Sequence, residues 1–166
     1  MKKLLKLKNL SMHIRFKKDS TKGMPVQNPY VAKQVDWAQE DAWKKLKEHY
    51  KFYAENGENG AGDGKNKNAF LHSYWNALLA KRIGLNKARL FTSAHEYGAP
   101  GNIYANSKMD LFNNNVGLYT GIKMKDKSDD QIAKYLIERI EKGGLLRTKV
   151  NGKYLNKTVL TNADLN

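Results

Sequence analysis

The sequence predicts a mainly α fold, a single domain of about five helices with a small C-terminal β-hairpin. Three observations carry that expectation. Apolar residues recur at three- and four-residue spacing through most of the chain. Glycines, with one proline, divide that periodic pattern at Gly57, Gly84, Gly98–Pro100 and Gly143-Gly144. Only the stretch LLRTKV-NG-KYLNKTVL reads as two strands, joined at Asn151-Gly152. At 166 residues the chain is long enough to bury one core of ordinary size.

Residues 1–30 read as a basic arm or linker. Lys2, Lys3, Lys6, Lys8, Arg15, Lys17, Lys18 and Lys22 face a single acid, Asp19, so this arm carries about half of the net charge of +14. Its opening MKKLLKLKNL lacks both the apolar run and the small-residue cleavage pattern of a signal peptide. The first helix is expected from Val31 to about Asn56, on a stripe of Val35, Ala38, Ala42, Leu46, Tyr50 and Tyr53, with Asp36 as its N-cap. His49 sits among charged residues there and reads as an exposed or edge histidine. The glycine-rich stretch 56–68 reads as a flap. It has neither the Lys-Ser/Thr pair of a phosphate-binding loop nor the closing Glu of a calcium loop.

Three helices follow, over about 68–82, 86–97 and 107–121, with Asn86 and Ser107 as the expected starts of the last two. The linker 98–106 would form a rim. Ser128 with Asp129 and Asp130 starts a fifth helix on a stripe of Ile132, Ala133, Leu136, Ile137 and Ile140. The helical domain is thus expected over 31–160, with a frayed tail at 161–166.

The residues fit for chemistry gather between Asn68 and Gly121. Asn68, His72 and Asn76 lie four apart, so they stack on one helical face. His95-Glu96 closes the next helix. Asp110, Asn113 and Asn114 are three and four apart on the one after it. Buried polar groups need partners, and these residues are natural partners for one another. In a shared pocket His72 or His95 would act as general base or acid, oriented by Glu96 or Asp110. Asn68, Trp75, Asn76, Asn113 and Asn114 would bind substrate, with the asparagines stabilising developing charge. His72, His95 and Asp110 also have the donor types for a divalent metal ion.

The charge of +14 favours a polyanionic partner, with nucleic acid first, an anionic membrane surface second, and an acidic protein also suited to it. No run of residues is long and apolar enough to be a membrane span. With no cysteine, disulfides and thiolate chemistry are excluded. No serine lies in a G-x-S-x-G elbow, which argues against a serine nucleophile.

The motifs NAFxHxYWNALLAK, AHE and MDLxNNxVG resemble a small bacterial domain of unknown function. That domain is found at the C-termini of large secreted proteins of the Wap/Rhs polymorphic-toxin type and in stand-alone proteins. The resemblance covers about Asn68 to Gly121 and rests on Asn68, His72, Trp75, Asn76, His95, Glu96, Asp110, Asn113, Asn114 and Gly117. Many relatives have Arg before the first His and His after MDL, where this chain has Leu71 and Phe112. The resemblance implies a secreted or delivered bacterial effector, faced by an acidic immunity protein. Joined to the residues, it makes a nuclease-like hydrolase the first expectation. A lipid or cell-envelope hydrolase and a non-enzymatic module with a buried polar network are the alternatives.

Overall fold

The structure, a computed structural model, describes residues 29–49, 66–97, 104–149 and 154–157. The basic arm up to residue 28, most of the flap, the rim residues 98–103, the turn around Asn151-Gly152 and the tail lie outside the described residues. The described residues form five helices: α1 Pro29–His49, α2 Asn66–Ile83, α3 Leu85–Tyr97, α4 Tyr104–Lys123 and α5 Asp129–Glu141. Two short strands, β1 Leu146–Lys149 and β2 Tyr154–Lys157, pair antiparallel with Leu146 opposite Lys157 and Lys149 opposite Tyr154. The mainly α expectation with a C-terminal hairpin therefore holds. No helix among the described residues is long and apolar enough to cross a membrane.

Helix α2 is the axis of the fold. Every residue from Asn66 to Ala80 is buried, so the helix has no solvent face over four turns. Its apolar side chains, led by Phe70, Leu71, Tyr74, Trp75, Leu78 and Leu79, are the centre of the core. Each large side chain so enclosed contributes about 1.5–3 kcal/mol. Helix α1 supplies Val31, Val35, Ala38, Ala42 and Leu46, a stripe at four- and three-residue spacing. Helix α5 supplies Ile132, Ala133, Leu136 and Ile140. His49 is exposed and its ring tilts against Phe70 at 6.5 Å, as an edge histidine would.

The chain reverses tightly between α2 and α3. Gly84 adopts φ +82°, a left-handed conformation that glycine reaches without a Cβ penalty. Its N–H donates to Ala80 O, and its own carbonyl accepts from Ala88 N, so this residue closes one helix and opens the next. Asn86, expected to cap α3, accordingly lies inside it. Asp36 is likewise interior to α1, because Pro29 already opens that helix, where its fixed φ and missing N–H carry no cost. Ser107 sits inside α4 for a related reason, since the helix begins at Tyr104. Ser128 does cap α5: its side chain accepts from Gln131 N while Gln131 Oε1 accepts from Ser128 N. The far end closes through Gly143 N to Ile140 O and Gly144 N to Arg139 O, the paired bonds of a Schellman motif.

Helices α2 and α4 run in the same direction, because Ser73 meets Gly117 and Ala77 meets Gly121. A Cβ placed on either glycine would sit 2.1 Å from the carbonyl oxygen of Ser73 or Ala77. Only glycine allows this approach, and the four-residue spacing on both helices repeats it one turn on.

An ionic cluster joins α1, α2 and α5 at the C-terminal end of α2. Arg82 donates to Asp41 at 2.6 Å and Asp129 at 3.0 Å, and Lys81 donates to Asp129 at 2.6 Å. Burial pushes the Asp129 carboxyl up, but the Lys81 and Arg82 hydrogen bonds outweigh it and hold the group below its ordinary value. Tyr74, whose hydroxyl donates to Asp129 O at 3.1 Å, is pushed up by burial.

Gly117→Ala forces a methyl into backbone and should cost about 3 kcal/mol or more in chemical denaturation. Gly84→Ala meets open space and only the left-handed penalty, about 1 kcal/mol. A carboxylate with a depressed folded-state value stabilises the fold above its unfolded value and loses that contribution as the pH falls through the folded one. The melting temperature should therefore drop from about pH 4 downward, and Asp129→Asn should flatten that part of the profile.

Candidate functional site

The site lies beside the glycine contact, and Asn76 belongs to both, since a Cβ on Gly117 would meet its Cβ. Because Gly117 and Gly121 draw α4 onto α2, the polar side chains flanking that contact are pressed together. On α2 these are His72 and Asn76; on α4 they are Asp110 and Asn114. His72 Nδ1 lies 3.0 Å from Asn114 Oδ1, and His72 Nε2 lies 3.4 Å from Asp110 Oδ1. Asn76 Nδ2 donates to Asn114 Oδ1 at 2.7 Å and to the carbonyl of His72 at 2.9 Å. Thr92, on α3, donates its hydroxyl to Asn76 Oδ1 and lies 2.9 Å from Ala88 O. All five side chains are buried.

The polarity of this chain of hydrogen bonds follows from one backbone atom. The His72 carbonyl can only accept, so the Asn76 atom beside it is the NH₂ group. That NH₂ also faces Asn114, which must present its oxygen. An oxygen beside His72 Nδ1 requires the ring to carry a proton there. In the neutral imidazole the remaining lone pair is then on Nε2, the atom turned toward Asp110. Thr92, Asn76 and Asn114 thus hold the ring by one edge and direct the other at a carboxylate. A base oriented by a hydrogen bond on its far nitrogen is the arrangement that general acid–base chemistry needs.

The remaining expected site residues divide. Asn68 is buried one turn before His72, and its Oδ1 accepts no hydrogen bond among the described residues. Asn113, expected to bind substrate, is fully buried and committed to the hairpin: its Nδ2 donates to Leu146 O at 2.8 Å and its Oδ1 accepts from Leu146 N at 3.0 Å. Its amide thus serves β1 as a neighbouring strand would. The shared face expected for Asp110, Asn113 and Asn114 is split, because a helix advances 100° per residue and position 113 turns off the 110/114 ridge. Trp75, also expected to bind substrate, is 1% exposed and packs in the core instead. Of the two departures from the relatives, Leu71 is core and Phe112 is exposed.

His95 and Glu96 lie in the last turn of α3; their side chains are outside the described residues. Their backbone position is still informative. Asn76 and Thr92 stand eight residues to either side of Gly84 in an antiparallel helix pair. Residue 96 follows Thr92 by one turn of α3. Thr92 was not among the expected site residues, yet this mirror relation about Gly84 is the signal that would have found it.

Among the described residues no three His, Asp or Glu side chains cluster as metal ligands. Of the expected metal set, His72 and Asp110 are brought together.

The family model for the domain of unknown function DUF6973 matches residues 22–144, most of the chain. No curated protein and no solved structure matches it. The chain belongs to the DUF6973 family.

Two substitutions separate the asparagine that serves the hairpin from the network that holds His72. Asn113→Ala should lower stability by about 1–3 kcal/mol, with the His72 ring signals in NMR spectra unchanged. Thr92→Val should cost a similar amount by orphaning Asn76 Oδ1, and should shift those ring signals.

Proposed function

For this member of the DUF6973 family we propose a hydrolase of phosphodiesters, a nuclease-like effector whose reacting pair is His72 and Asp110. The observation that carries the reading is the orientation of His72. Its Nδ1 is fixed by Asn114, and its Nε2 is directed toward Asp110 at the N-terminal half of the α2–α4 contact. A purely structural network needs every member satisfied but needs no titratable pair at its end.

The electrostatics favour an anionic substrate. Helices α2 and α4 are parallel, so both N-termini lie at the same end of the molecule as His72 and Asp110. The pair stands six residues in from each helix start, about 9 Å along the axis. Positive helix ends act on anions within about one turn of the terminus, so here they would draw a polyanion to this end of the molecule rather than hold it at His72. The net charge of +14 adds sequence-independent affinity for nucleic acid that weakens as salt rises.

In the proposed reaction His72 Nε2 takes the proton of an attacking water as the new bond to phosphorus forms. The bond to the leaving oxygen breaks, and that oxygen takes a proton from an acid. Asp110 holds the imidazolium that develops on His72. His95 and Glu96, one turn past Thr92 on α3, are assigned the acid role. Asn68, one turn before His72 and with a buried amide oxygen that accepts no hydrogen bond among the described residues, is assigned to substrate. In the polymorphic-toxin setting that the motifs resemble, an acidic immunity protein would neutralise this basic surface.

Incubation of the purified chain with total RNA and plasmid DNA tests the reading. Cleavage is expected, with His72→Ala and Asp110→Asn reducing it by about 10²–10⁴-fold while retaining salt-sensitive binding. Intact nucleic acid, or full activity in His72→Ala, would overturn it. Hydrolysis of anionic vesicles with RNA and DNA untouched would put a lipid substrate in its place.

A further inference from the structure

The distance between His72 and Asp110 points to a ligand. Asn114 Oδ1 requires the proton of His72 on Nδ1, so the Nε2 lone pair of the neutral ring faces a carboxylate oxygen 3.4 Å away. Two electron-rich atoms in that position attract one another only through a cation between them. A proton would draw them to about 2.7–2.9 Å, the length of a charge-assisted hydrogen bond. Two donors on one tetrahedral ion, each about 2.0–2.1 Å from it, stand about 3.3–3.4 Å apart. The observed separation has the second value.

A further donor lies on the same face. Asn68 is four residues before His72 on α2, is 7% exposed, and buries an amide oxygen that accepts no hydrogen bond among the described residues. Imidazole nitrogen, carboxylate and amide oxygen together suit a divalent transition-metal ion better than a soft one, which would seek sulfur. Asn76 and Thr92, through Asn114, supply the outer hydrogen bonds that commonly fix the tautomer of a metal-binding histidine.

We propose that His72 Nε2 and the Asp110 carboxylate bind a divalent transition-metal ion, Zn²⁺ or Mn²⁺, with Asn68 Oδ1 as a third donor. Three protein donors leave positions open for water and for a phosphate oxygen, as in a catalytic rather than a structural site. Nε2 has one lone pair, so with the ion bound His72 is a ligand, and the base role given to it above would pass to water on the ion; that place in hydrolysis rests on the function proposed above, and the binding of the ion does not.

Calorimetric titration of the full, chelator-treated chain with Zn²⁺ and with Mn²⁺ is the test. One ion is expected to bind at the site, raising the melting temperature, with affinity falling as the pH falls because protons compete for Nε2. Asp110→Asn and His72→Gln should each weaken binding by about tenfold or more, Asn68→Ala less, and His49→Ala should leave it unchanged. Should His72→Gln fail to fold, Mn²⁺ added to the unaltered protein must selectively broaden the His72 ring signals. Absence of binding at millimolar ion, binding undiminished in Asp110→Asn, or His72 signals untouched by Mn²⁺ would each overturn the site. An ion bound without nucleic-acid cleavage would leave the metal site standing and remove the nuclease. Cleavage that persists in EDTA, without ion binding, would do the reverse.

Discussion

The contact on which this structure depends is the close approach of α4 to α2 at Gly117 and Gly121. With a hydrogen in place of each side chain, the α4 backbone rests on the carbonyl groups of Ser73 and Ala77. Any Cβ there would push the helices apart, and the consequence would be felt beside that contact. His72, Asn76, Asp110 and Asn114 bond to one another only because the helix surfaces behind them are flush. Separated, they would leave several buried polar atoms without partners, each a loss of about 1–3 kcal/mol. The small residues and the polar ones therefore form one device. The first set brings the helices together, and the second makes that distance and register the only satisfied arrangement.

The same economy explains why α2 tolerates so many polar residues while losing its whole solvent face. Ser73 turns its hydroxyl back to Ala69 O and Phe70 O within the helix. Asn76 spends one donor on its own helix and reaches two others with the rest. At the opposite end Lys81 and Arg82 keep partly buried charges against Asp41 and Asp129. One end of α2 is thus held by ions and the other by an oriented neutral network. That contrast is a reason to look for reactivity at His72 rather than at the ion cluster, where each charge already has close partners.

Much of the fold was legible because its signals are local. The stripes of α1 and α5, the capping box at Ser128, the stop at Gly84 and the pairing of the hairpin strands all depend on residues near in sequence. Helix starts were less legible: Asn66 and Lys67 read as part of the glycine-rich flap, yet both are buried in the first turn of α2. In the site, the His72/Asn76 and Asp110/Asn114 ridges could be read from four-residue spacing. Asn113 could not be separated from Asn114, since only the hairpin, far along the chain, decides which asparagine faces it. Trp75 looked like a ligand platform because it is an aromatic residue within the motif, yet burial on every side makes it core. Thr92 was missed because its partner lies sixteen residues earlier, across the turn at Gly84.

The central claim is that the network anchored on the His72 carbonyl fixes the proton of that ring on Nδ1. Long-range ¹H–¹⁵N correlation spectra of the histidine side chains, recorded in chelator with the ring neutral, test it directly. The account predicts a protonated Nδ1 and a bare Nε2 in the neutral ring. It also predicts that Asn114→Leu releases this preference. A neutral His72 with its proton on Nε2 and a bare Nδ1 would contradict the account, because Asn114 could not then be presenting its oxygen.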